Sequence, residues 1–102
     1  YTNAYITEGN DGKILINYHV IAKGICSTIG ASQIDLYESD GTFKKTYYSS
    51  AYVNMLASNT FVHSGYVDYP ATPGKTYYAD VTFYAVLDGE TGTYVHTSPV
   101  GP

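Results

Sequence analysis

Tryptophan and arginine are missing from this chain, cysteine and methionine occur once each, and proline only four times. Each absence removes a class of answer. A single cysteine, Cys26, cannot close an internal disulfide, and no C-x-x-C or Cys/His spacing is present to hold zinc. No metal or other cofactor is expected. No apolar run reaches the length of a bilayer-spanning helix, so no membrane span is expected. With no arginine, and five lysines against nine acidic residues, the net charge is -4 and the one cationic cluster is the pair Lys44-Lys45. Nucleic-acid binding driven by phosphates needs several convergent cations, so nucleic acid is not an expected partner.

What is present is apolar, alternating and rich in tyrosine. At 102 residues, 44% of them hydrophobic and 14% charged, the chain has the size and composition of one globular domain, residues 1–102, rather than a disordered segment. Tyrosine occurs 13 times. Its ring packs on a pleated, half-buried surface while its hydroxyl stays wet, which suits sheet faces and rims. The first residue is Tyr1 rather than methionine, which carries the expectation of a secretory signal peptide already removed and an extracellular or cell-surface location.

Period-two alternation runs through most of the chain, interrupted by Gly, Asp, Asn and Pro. From Lys13 to Lys23, Ile14, Ile16, Tyr18, Val20 and Ala22 share one face, and Leu15, Asn17, His19 and Ile21 the other. The mixed second face predicts a central strand. Asn10-Asp11-Gly12 folds Thr2–Thr7 back as an edge strand. Asp40-Gly41 joins Ala31–Glu38 to Thr42–Tyr48, with Phe43 and Tyr47 as inward contacts. Residues 49–59 lose the alternation and read as a crossing loop or one short helical turn. Alternation returns at Thr60–Tyr69 through Phe61, Gly65 and Val67 or their neighbours. A long strand follows over Lys75–Leu87, then a turn over residues 88–92 and a last strand over Thr93–Ser98. About seven strands in this length predict an all-β, two-sheet antiparallel sandwich, with a closed barrel as the rival.

The stretch Pro73-Gly74-Lys75-Thr76-Tyr77-Tyr78-Ala79-Asp80-Val81-Thr82-Phe83 resembles the late strand of fibronectin type III domains, within the immunoglobulin-like sandwiches. In that family a Pro-Gly turn precedes a corner tyrosine, here Tyr77, whose ring points inward and whose hydroxyl bonds back to the preceding connection. Those domains carry a core tryptophan on an early strand, for which Tyr18 is the available substitute. The whole chain is also similar to small proteins exported by clostridial gut bacteria, on Ile29-Gly30-Ala31, Tyr37-Glu38-Ser39-Asp40-Gly41 and Gly74-Lys75-Thr76-Tyr77-Tyr78-Ala79. That resemblance implies export and carries no activity with it.

Catalytic and metal chemistry find little support in the residues. His19, His63 and His96 fall on separate strands, with no two at ligand spacing. Asp11, Asp40, Asp68 and Asp88 could gather around calcium at one end of a sandwich, but three of the four directly precede glycine, as turn chemistry alone would choose. Cys26, Ser27 and Thr28 have neither a neighbouring base nor a nucleophile-elbow frame. A small hydrolase is therefore the least favoured class.

Tyrosines are the lead toward binding. Tyr78, Thr82 and Tyr84 face away from Tyr77 on the late strand, and Tyr47, Tyr48, Tyr52, Tyr66, Tyr69 and Tyr94 are further rings. Tyr78, Tyr84 and Tyr94 are the candidate ligand-binding residues, since exposed aromatic clusters mark interaction surfaces. The expected function is a non-enzymatic module that contacts a protein partner or serves structurally. The alternative is a carbohydrate-binding module using surface tyrosines. The chain is expected as a monomer, or as a weak homodimer through an edge strand.

Overall fold

A computed structural model describes all residues, 1–102. The strands are β1 (Thr2–Glu8), β2 (Lys13–Cys26), β3 (Thr28–Glu38), β4 (Phe43–Tyr48), β5 (Leu56–Ala57), β6 (Thr60–Pro70), β7 (Tyr77–Leu87) and β8 (Glu90–Thr97), with a 3-10 turn at Val53–Met55 before β5. One sheet has the order β1-β2-β6. The other has the order β4-β3-β7-β8, with β5 paired to β3, and every pairing is antiparallel. The chain is a two-sheet sandwich, and the two sheets do not close into a barrel.

Alternation explains the core. Ile14, Ile16, Tyr18 and Val20 of β2 point inward against Tyr77, Ala79, Val81 and Phe83 of β7, with Ile34, Leu36 and Tyr47 beside them. Alternate residues of β2, β3 and β7 are thus removed from water over much of their length, whereas β8 buries none. Three of the largest buried side chains are tyrosines, and each hydroxyl has a partner. Tyr18 donates to the Asn54 carbonyl at 2.9 Å, Tyr47 donates to the Asp68 carbonyl at 2.7 Å, and the Thr72 N–H donates to Tyr77 at 2.9 Å. Tyr77 therefore holds the connection before its own strand, as the sequence predicts.

The differences from the sequence reading are local and have visible causes. Phe43 is 55% exposed rather than inward. A register shift between Leu36 and Tyr37 reverses the phase of β4, so that Phe43 pairs with outward-facing Tyr37. Phe61 is 48% exposed because β6 begins beyond a shift in the β2 ladder between Ile21 and Cys26. Residues 49–59 supply both the short turn and β5, and they drive Met55 fully into the core. Asp88 and Gly89 both take positive φ, 53° and 78°, so two residues make the last turn and β8 starts at Glu90 rather than Thr93.

Candidate functional site

The outer face of the five-stranded sheet is built by the alternate residues that the core does not use. Phe43, Tyr37 and Tyr78 lie side by side across β4, β3 and β7, because Tyr37 pairs with both other residues. The Tyr37 and Tyr78 rings stack at 5.2 Å between centroids with planes 17° apart, and Phe43 meets Tyr37 edge to face at 5.9 Å. Asp35 and Asp80 form the next row, directly opposite each other and flanked by Thr46 and Thr97. Gln33, Tyr48, Thr82 and Val95 form the row beyond.

The two carboxylates are held but not neutralised. Thr46 Oγ1 donates to Asp35 Oδ1 at 2.6 Å, and Gln33 Nε2 lies 3.1 Å from both oxygens. Thr97 Oγ1 donates to Asp80 Oδ1 at 2.6 Å. All three ion pairs lie elsewhere, joining Lys13 to Asp68 and both Lys44 and Lys75 to Glu38. Like charges directly opposite on neighbouring strands oppose sheet pairing. The Tyr37 phenol carries the mark of this arrangement, its pKa raised first by desolvation and then by Asp35, Asp80 and Tyr78.

Of the three tyrosines singled out in the sequence, Tyr78 and Tyr84 share this face, with Asp80 and Thr82 between them. Tyr94 does not. It pairs with inward-facing Phe83, so it overhangs the opposite side of β8, 60% exposed and edge to face with His96. Sequence reasoning missed Tyr37, Phe43, Asp35 and Asp80 as neighbours of Tyr78. Alternation around inward Ile34 and Leu36 already puts Gln33, Asp35 and Tyr37 on one polar face. Their juxtaposition with Asp80 depends on strand order, which alternation does not contain.

The remaining candidates stand apart. His19 contacts Ser64, His63 Nε2 lies 2.6 Å from the Asn54 carbonyl, and His96 Nδ1 lies 3.0 Å from Thr2 Oγ1. Asp40 accepts the Thr42 N–H at 2.9 Å, and hydrogen bonding to Thr42 holds its carboxyl below the usual range. Asp11 and Asp88 occupy turns at positive φ, and Asp68 faces Lys13. No three His, Cys, Asp or Glu side chains converge. Cys26 is fully buried, its thiol directed at the Gly24 carbonyl 3.5 Å away. A shallow cleft of about 340 Å³ beside the edge of β6 is lined by Tyr18, Tyr52, Val53, Met55 and Tyr66, with Asp68 its one charged group.

No protein-family model, curated protein or solved structure matches the chain.

Proposed function

We propose that this chain is a non-catalytic, extracellular or cell-surface module that binds a protein partner through the outer face of the five-stranded sheet. The observation that carries this reading is the row Phe43, Tyr37 and Tyr78 lying against the un-neutralised pair Asp35 and Asp80. Aromatic rings supply contact area at low entropic cost, and adjacent carboxylates select a segment bearing lysine or arginine. The strand orders β1-β2-β6 and β4-β3-β7-β8, with the buried Tyr77 corner, support kinship with fibronectin type III and immunoglobulin-like modules. Fold alone assigns no activity, so the proposal rests on the face.

Display selection of peptides against the wild type, with counter-selection against a Tyr78→Ser/Asp80→Asn variant, tests it. Enrichment of basic segments whose binding falls by roughly tenfold or more in Asp35→Asn supports the reading, since charged contacts at this strength are typical of interfaces. Sequences enriched without a cation, or binding unchanged by the variants, refute it.

A second reading keeps the same face and changes the ligand to a glycan. It is favoured by the comb of Gln33, Asp35 and Thr46 beside the exposed Phe43 ring, since sugars combine a hydroxyl rim with an apolar face. The mutual stacking of Tyr37 and Tyr78 weighs against it, because each ring covers a face of the other. A glycan array with wild type and Tyr84→Ala distinguishes the two.

A further inference from the structure

Apart from the two-residue β5, four strands lie at sheet edges, and three of them are blocked. On β1 the outward N–H of Ala4 is occupied by Asn3 Oδ1 at 3.0 Å, and Gly101 packs so close to the Ile6 carbonyl that a Cβ there would stand 3.0 Å from it. On β6, Thr60 Oγ1 bonds both outward groups of Val62 at 3.4 and 3.3 Å, Tyr47 caps the Asp68 carbonyl, and Pro70 has no N–H to offer. On β4 a bulge carries Lys44 beside Lys45, and the Tyr48 carbonyl accepts the Ala51 N–H at 3.0 Å. These are the devices that keep sheet edges from pairing with other chains.

The β8 edge has none of them. It runs from Glu90 to Thr97 in unbroken register with β7, without lysine, proline or bulge. The Ser98 N–H bonds the Ala79 carbonyl at 2.8 Å, which fixes the phase of the ladder. His96, Tyr94 and Gly92 therefore bond to β7, while Thr91, Thr93, Val95 and Thr97 turn their N–H and C=O groups outward. No side chain of the molecule hydrogen-bonds to those groups.

We propose that two copies of this chain pair through β8, antiparallel about a two-fold axis at Thr93. The strand is complementary to itself in that register. Thr93 faces Thr93, Thr91 faces Val95, the Tyr94 ring covers the bare backbone of Gly92, and the Glu90 carboxylate meets the imidazole of His96. Thr91, Thr93 and Val95 each find an outward partner, while Thr97 lies opposite Gly89 of the turn, and Tyr over Gly is the cross-strand pairing that compensates a glycine in a sheet. A foreign strand would satisfy the backbone equally but would not supply these side-chain matches, so the second copy is the occupant. The two five-stranded sheets then become one continuous sheet.

Sedimentation of the wild type from micromolar to millimolar concentration tests the pairing. The expected result is a concentration-dependent dimer. Thr93→Pro deletes an outward N–H that no internal bond uses, so it keeps the circular dichroism spectrum while weakening the dimer by about tenfold or more. Val95→Lys acts in the same direction through charge at the edge, and it decides the matter should Thr93→Pro fail to fold. Thr93→Cys cross-links to its copy on oxidation, whereas Val95→Cys, facing Thr91, does not. A wild type that stays monomeric to millimolar concentration overturns the proposal. So does a dimer of unchanged strength in both Thr93→Pro and Val95→Lys.

Discussion

At Gly30 the backbone takes φ of 150°, and a Cβ placed there would overlap the Met55 carbonyl oxygen. This is where β5 closes on β3, so only a residue without a side chain lets the 49–59 segment seat Met55 in the core. Gly30→Ala is expected to cost about 3 kcal/mol or more, measured by urea unfolding, because the opposing atoms are backbone and cannot step aside. Tyr18 is the second residue on which much depends. It crosses to Gly65, whose missing side chain leaves room for the phenol, and its hydroxyl reaches Asn54.

Burial pushes the Tyr18 phenol up to about 12. Its folded pKa lies above the unfolded value of 10.0, so the neutral form is the one the fold favours. That contribution is fully present below pH 10 and is lost as pH rises from 10 toward 12, at no more than about 1.4 kcal/mol per pH unit. Tyr47 is raised as well, first by burial and then by Tyr52, Asp68 and Tyr69, and it adds to the same alkaline loss. Thermal melts should therefore fall steeply above pH 10, and Tyr18→Phe should flatten part of that slope. A melting temperature independent of pH between 10 and 12 would contradict the burial of both phenols.

Among the elements, the legible part was whatever repeats with the strand period. Alternation in Ile14–Val20 and Tyr77–Phe83 gave the two core faces, and Asp-Gly pairs gave the turns, because both signals are local. Three register shifts were not legible, and two of them turned a phenylalanine outward: Phe61, and Phe43, which became part of the candidate site. Strand order was equally hidden, and it alone sets Asp35 opposite Asp80. The Glu38 cluster shows the same limit. Glu38 is 8% exposed at the end of β3, with Lys44 at 3.4 Å from across the adjoining turn and Lys75 at 3.8 Å from a part of the chain distant in sequence. Glu38→Ala should cost about 1 kcal/mol in unfolding free energy, while Lys75→Ala, at the more exposed end, should stay within roughly 0.5 kcal/mol.

For the molecule as a whole, the shape follows from sheets that share one interior and leave two outer faces unequal. The chain extends 45 × 23 × 21 Å, with its net charge of -4 distributed so that the outer face of the larger sheet keeps two carboxylates without a lysine partner. Replacing Asp80 by Asn removes the repulsion between cross-strand neighbours, so it should leave stability unchanged or raised by a few tenths of a kcal/mol while weakening ligand binding. Such a split between stability and binding is the signature of a residue retained for recognition. The most direct test is amide NMR of the protein titrated with a basic peptide taken from the display selection. The expected shift changes centre on Asp35, Tyr37, Tyr78 and Asp80. Changes confined to the cleft around Tyr52 and Val53, or to the opposite side at Tyr94, would contradict it.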